Sequence, residues 1–154
     1  MVNARTIGGD PQADPLALER QVCFALSIAS RNVVALYRPL LEPMGLTHPQ
    51  YLVMLALWGR TPLSVKELSR LLAQEPATLS PLLKRLEAIG YITRPRAEAD
   101  ERQLAVGLTP EGAALRERAL AIPPAVVERL GMSLAELQDL HTVLTRVIAA
   151  TDRA

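Results

Sequence analysis

Between Ser64 and Leu108 the apolar period of the chain changes from helical to alternating, and a glycine marks the change. Ser64-Val65-Lys66-Glu67 opens the stretch as a capping box, in which Ser64 accepts from the Glu67 amide while the Glu67 carboxylate reaches back to the amide of Ser64. Val65, Leu68, Leu71 and Leu72 then recur three and four apart on one face, with Lys66, Glu67 and Arg70 pointing away, and the pattern stops at Gln74-Glu75-Pro76. Proline is well tolerated in a first helical turn, so Pro76 and Pro81 both suit the start of a second helix. In that helix Leu79, Leu82, Leu83 and Leu86 form the buried stripe and Gly90 supplies the stop. Beyond it, Tyr91–Arg94 reads as one strand and Gln103–Leu108 as another, with Leu104, Val106 and Leu108 on one side. Two short amphipathic helices across a tight turn, followed at once by a hairpin, are the parts of a winged helix-turn-helix in their usual order.

The face of the second helix that the leucines leave outward carries Ala77, Thr78, Ser80, Pro81, Lys84 and Arg85. Small and hydroxylic residues at its N-terminal end, with two cations a turn later, suit base edges and phosphates in a major groove. Pro95–Arg102 is too polar to be core and reads as the wing, where Asp100 stands two residues from Arg102 and can hold its guanidinium extended. A solvated hairpin with a surface ion pair is the plainer account of such a tip, and the preceding helix-turn-helix is what turns the reading toward nucleic acid. The net charge of +1 does not mark a nucleic-acid binder, so affinity has to come from a local patch. Lys84, Arg85, Arg94, Arg96 and Arg102 supply one, partly offset by Glu87, Glu98, Asp100 and Glu101. Aromatic residues, at 3%, are too few for stacking platforms, which favours duplex DNA over single strands.

A chain of 154 residues is one domain's worth, and 49% hydrophobic against 21% charged residues is a globular balance. Residues 1–13 lack periodicity and read as a flexible arm, and 14–154 as a single domain. Asp14-Pro15 suits the start of a long helix to about Leu41, with Leu18, Val22, Ala25, Ile28, Ala29, Val33 and Leu36 as apolar positions. Thr47-His48-Pro49-Gln50 is a second capping box, opening a mostly buried helix through Trp58, with Met54 and Trp58 in the core. Thr109-Pro110-Glu111 opens another helix that Pro123-Pro124 interrupts, and Ser133-Leu134-Ala135-Glu136 starts a last one to near Ala150. The expected class is mainly α with a small β-hairpin wing: residues 47–109 form the DNA-binding lobe, and helices in 14–46 and 110–154 form a dimer interface. Such a dimer would set two reading heads on successive turns of a pseudo-palindromic operator.

The longest apolar run, Tyr51 to Trp58, is far below the roughly 20 residues needed to span a bilayer, and no signal peptide opens the chain, so a cytoplasmic protein without membrane contact is expected. One cysteine excludes an internal disulfide, and with His48 and His141 as the only histidines no zinc constellation exists; both histidines read as packing or solvent residues. No phosphate loop is present, and neither a cofactor nor an enzymatic activity is expected. Cys23, in Gln21-Val22-Cys23-Phe24-Ala25-Leu26, is by position alone an inert small hydrophobe on an apolar helical face. Against that stand Ser27, one turn away, and Tyr37 on the same helix. Those 14 positions span roughly 21 Å of helix, so a contact between Tyr37 and Cys23 needs a partner subunit.

Several stretches together resemble the MarR-type winged-helix regulators and, within them, the organic hydroperoxide resistance repressors. They are Gln21–Leu26, Ala29-Ser30-Arg31, Leu36–Leu41, Pro49–Leu52, Thr78–Glu87 and Asp100-Glu101-Arg102. The resemblance implies a homodimeric repressor with Cys23 as a peroxide-reactive thiol and Tyr37 of the partner subunit bonded to it. Oxidation to a sulfenic acid, then a mixed disulfide with a low-molecular-weight thiol or over-oxidation, would release the operator. Without a second, resolving cysteine the chain resembles the one-cysteine type. It departs from the family at Ser27 and His48, where tyrosines are common, and at Gln74-Glu75-Pro76-Ala77, where Asp-Ser-Gly is usual. Three other readings stay open: a repressor released by a small apolar or phenolic ligand with Cys23 merely packing, a thiol peroxidase, and an interaction module without DNA binding.

Overall fold

A computed structural model of the chain describes residues 14–94 and 105–152, so the expected arm at 1–13 lies outside the described residues. The chain divides into two compact units, residues 1–36 and 37–154. In the first, Asp14 does not cap a long helix. Its carboxylate accepts from the Leu16 amide at 2.9 Å and closes a turn, a short 3-10 turn follows at Leu18–Arg20, and α1 begins only at Val22 and runs to Leu41. The delay has a local cause: Gln21 is extended, and its side-chain amide donates back to the carbonyls of Pro15 and Ala17.

The second unit is built on caps that the sequence announces. Thr47 and Gln50 close a capping box at the head of α2 (His48–Gly59), Ser64 and Glu67 do so for α3 (Val65–Leu72), and Ser133 and Glu136 for α7 (Leu134–Thr151). Between them lie α4 (Pro76–Ile89), α5 (Pro110–Ala119) and α6 (Ile122–Leu130), with Pro123 in the first turn of α6, where its missing N–H costs nothing. A three-stranded antiparallel sheet completes the winged helix-turn-helix. In it β3 (Ala105–Leu108) lies between β1 (Leu63–Ser64) and β2 (Ile92–Thr93), with Leu63 opposite Val106 and Ile92 opposite Leu108. Sequence periodicity did not foresee β1.

Leu57, Leu63, Leu68, Leu79, Leu83 and Leu86 sit at the centre of one core, joined there by Ile92 and Val106. Two expectations need correction. Leu71, assigned to the buried face of α3, is 61% exposed, because only Leu68, flanked by Val65 and Leu72, has α4 and the sheet to pack on. Pro81 does not start α4 but lies inside it, five residues after Pro76, on the exposed side of the helix.

One close approach ties the hairpin to the helices behind it. Gly112, buried in α5, faces the Tyr91 carbonyl so closely that a Cβ there would lie 1.9 Å from the oxygen. Around it the Thr109 amide donates to the Tyr91 carbonyl (3.1 Å), the Gly112 amide to the Thr109 hydroxyl (3.0 Å), and the Trp58 indole to the Gly112 carbonyl (2.9 Å). The Tyr91 hydroxyl donates to the Met44 carbonyl at 2.7 Å.

Candidate functional site

The turn that presents α4 is closed by a left-handed residue and two bonds between Ser69 and Gln74. Ala73 ends α3 in the left-handed region (φ 50°), the Gln74 amide donates to the Ser69 carbonyl at 3.0 Å, and the Ser69 hydroxyl donates to the Gln74 carbonyl. Pro76 then takes the first helical position of α4, with Glu75 at the N-cap making no side-chain cap bond. With Leu79, Leu83 and Leu86 fully buried, geometry leaves Ala77, Thr78, Ser80, Pro81, Lys84 and Arg85 outward, and all six are exposed. Small side chains at 77, 78 and 80 permit close approach, and the cations at 84 and 85 follow one turn later. Arg94, just past β2, is half-buried, while Arg96, Asp100 and Arg102 lie outside the described residues. In the first turn of α3 Glu67 is shared: it caps Ser64 and forms an ion pair with Arg60 at the end of α2. Those bonds to Ser64, reinforced by Arg60, hold its carboxyl below the usual carboxylate range.

The thiol elements are distributed over both units. Cys23 and Ser27, one helical turn apart on α1, are both exposed in the first unit. Tyr37 opens the second unit and is half-buried in an aromatic cluster that sequence reading missed. Its ring centroid is 4.8 Å from that of His48, edge-on, and 5.7 Å from that of Tyr51, whose ring in turn meets Trp58 edge-on at 6.4 Å. The signal available was the spacing of His48, Tyr51 and Trp58 along one face of α2. Burial pushes the Tyr37 and Tyr51 phenols up and the His48 imidazole down, so all three rings stay neutral near pH 7. His141 is exposed on α7, and among the described residues no cluster of metal-ligating side chains occurs. None of the described helices is long and apolar enough to cross a membrane.

A helix-turn-helix with a hairpin behind it and an outward face of small, hydroxylic and cationic residues defines a winged-helix transcriptional regulator. The family described as transcriptional regulator SarA/Rot matches residues 35–118. The chain belongs to this family of MarR-type winged-helix regulators. It is 43% identical over 131 residues to the organic hydroperoxide resistance transcriptional regulator of Bacillus subtilis (strain 168), a match covering 85% of this chain and 89% of the relative. Among solved structures it is similar to reduced AbfR bound to DNA (Staphylococcus epidermidis), with 32% identity, a TM-score of 0.75, and 88% of this chain and 93% of that one covered. AbfR has also been solved overoxidized and with a disulfide formed. BpsR of Bordetella bronchiseptica, whose DNA binding is regulated by 6-hydroxynicotinic acid, is 26% identical with a TM-score of 0.76, covering 87% of this chain and 97% of that one.

Proposed function

We propose that the chain is a homodimeric repressor that binds duplex DNA through α4 and its wing and releases it when organic hydroperoxides oxidise Cys23. The observation that carries the reading is the exposed position of the single thiol: among the described residues none buries Cys23, as inert packing within the chain would require. The likeness to a hydroperoxide resistance regulator, and to a regulator solved in reduced, overoxidized and disulfide forms, supports it. Dimerisation is supported by α7, which buries no residue and exposes Leu134, Leu140, Val143, Val147 and Ile148.

In the reaction the Cys23 thiolate attacks one peroxide oxygen, an S–O bond forms as the O–O bond breaks, and the alkoxide leaves with a proton as the alcohol. Sulfur is oxidised by two electrons and the peroxide reduced by two. A low-molecular-weight thiol then condenses with the sulfenic acid, giving a mixed disulfide and water. Tyr37, a phenol that burial pushes further up from its ordinary value, serves as a hydrogen-bond donor to Cys23 of the partner subunit. Bound duplex is measured for the reduced protein on its own upstream DNA, before and after one equivalent of an organic hydroperoxide, in wild type and Cys23→Ser. Release in wild type alone is expected; persistence in both refutes the switch.

A second reading has its own support. A cleft of about 250 Å³ lies between α2 and α5, lined by Tyr51, Leu55 and Trp58 with Arg116 at its side, and the BpsR likeness favours release by a small aromatic ligand. Under that reading release is reversible by dialysis and indifferent to Cys23→Ser.

A further inference from the structure

His48 occupies the first helical position of α2, directly after the Thr47 cap, where the helix presents its positive end. Its ring closes a triangle. The centroids lie 4.8 Å from Tyr37 and 6.4 Å from Tyr51, and the two tyrosines are 5.7 Å from one another. Tyr37 comes from α1, and His48 and Tyr51 from α2, so the Tyr37 ring is held on two sides by rings from another helix. A phenol ring so held has its χ angles restricted, and its hydroxyl is committed to one direction.

Three circumstances make the His48 side of this grip conditional. The imidazole is half-buried, so a charge on it is poorly solvated. The helix N-terminus opposes a positive charge as well. The titratable groups that face it are the phenols of Tyr37, from α1, and Tyr51, from its own helix; among the described residues no acidic side chain is paired with it to offset the charge.

We infer that His48 is a positioning residue for Tyr37: as a neutral imidazole it fixes the phenol, and once protonated it leaves the ring cluster and lets the phenol swing, making thiol oxidation pH-dependent. The inference rests on the proposal that Tyr37 bonds Cys23 of the partner subunit. A tyrosine at position 48 would not behave this way, because a phenol does not change charge between pH 5 and 8.

The test uses the full chain and tert-butyl hydroperoxide. The rate of Cys23 thiol loss is followed from pH 5.5 to 8 in wild type, His48→Ala and His48→Tyr, alongside NMR titration of the His48 and Tyr37 ring signals. With the phenol no longer held, His48→Ala is expected to react about tenfold more slowly at pH 7.5, within the range that misplacing a reacting group costs. His48→Tyr regains the rate and lacks the wild-type decline below pH 6.5 that exceeds the fall any thiol shows. The Tyr37 signals move at the His48 midpoint. His48→Ala reacting like wild type, one pH profile shared by wild type and His48→Tyr, or Tyr37 signals that stay still through the His48 titration would each overturn the inference. A wild-type thiol inert to peroxide at every pH would sink the sensor reading and the inference together, whereas a reactive thiol indifferent to His48 sinks the inference alone.

Discussion

Gly112→Ala sets two physical effects against each other with opposite signs. Alanine is the better helix former by about 1 kcal/mol, so on propensity alone the substitution in the first turn of α5 should stabilise the protein. The new Cβ, however, would stand 1.9 Å from the Tyr91 carbonyl oxygen and 2.9 Å from its carbon. An ordinary carbon–oxygen approach is about 3.3 Å or more, so α5 and the start of the hairpin have to separate by over an ångström. Both sides of that contact are backbone, and neither can give by a rotamer change. Overpacking of this kind costs roughly 1–3 kcal/mol, and stretching the Thr109 amide bond to Tyr91 and the Trp58 bond to the Gly112 carbonyl adds about 1 kcal/mol each. Against the propensity gain, the net is a destabilisation of about 3 kcal/mol, which lowers Tm by roughly 6–12 °C in a chain of this length. Thermal unfolding by circular dichroism reads the shift. Trp58 is the only tryptophan, so its emission independently reports whether the indole keeps its acceptor. A Tm equal to or above wild type with unchanged emission would refute the reasoning, since helix propensity would then have won.

Ala73→Gly should do the reverse: it relieves a left-handed alanine between α3 and α4, and after glycine's larger unfolded-state entropy is subtracted a gain of about 0.5–1 kcal/mol is expected in the denaturant midpoint. Ser64→Ala removes the acceptor of the Glu67 amide (3.0 Å) and is expected to cost about 1 kcal/mol by the same measurement. The Glu67 carboxyl, held low by its bonds to Ser64, contributes stability that is present above its unfolded value near 4.5 and lost as pH falls through the folded one. Glu67→Gln therefore flattens acid unfolding in that window. His48 titrates in a higher window: its folded form resists protonation, so stability falls as pH drops below about 6.5, and His48→Phe should remove that part of the slope in pH-dependent melts. Lys84→Ala should weaken binding to all duplexes alike and reduce the salt slope by about 1, while Thr78→Ala should change preference among duplex sequences, both read by titration at several salt concentrations.

How much of this was legible follows from how far apart the partners lie in the chain. All three capping boxes were readable because donor and acceptor fall within one turn, and the outward row of α4 was readable because its leucines decide which face is left over. Asp14 shows the limit of such local chemistry: an aspartate before proline caps a turn as well as a helix, and only Gln21, bonded back to Pro15 and Ala17, decides which. Strand β1 was invisible because two residues carry no period and gain their order from Val106 and Ala105, more than forty positions away. Leu71 was misplaced because periodicity identifies a face without saying how wide the opposing surface is.

The same rule separates the two halves of the proposed machinery. Residues that would meet DNA need only be small or charged and outward on one helix, and a sequence displays that directly. Residues that would tune the sensor act by holding one another. Tyr37 and His48 belong to different helices with the Glu42–Met44 turn between them, and each read singly is an ordinary half-buried ring. Gly112 is the same case in the scaffold: inside a helix it reads as a weak point, until the Tyr91 carbonyl opposite shows that no other side chain fits. A substitution at Lys84 can therefore be interpreted from α4 alone, whereas one at His48 or Gly112 acts through a partner on another element and has to be measured at that partner, at the Tyr37 ring or the Trp58 indole.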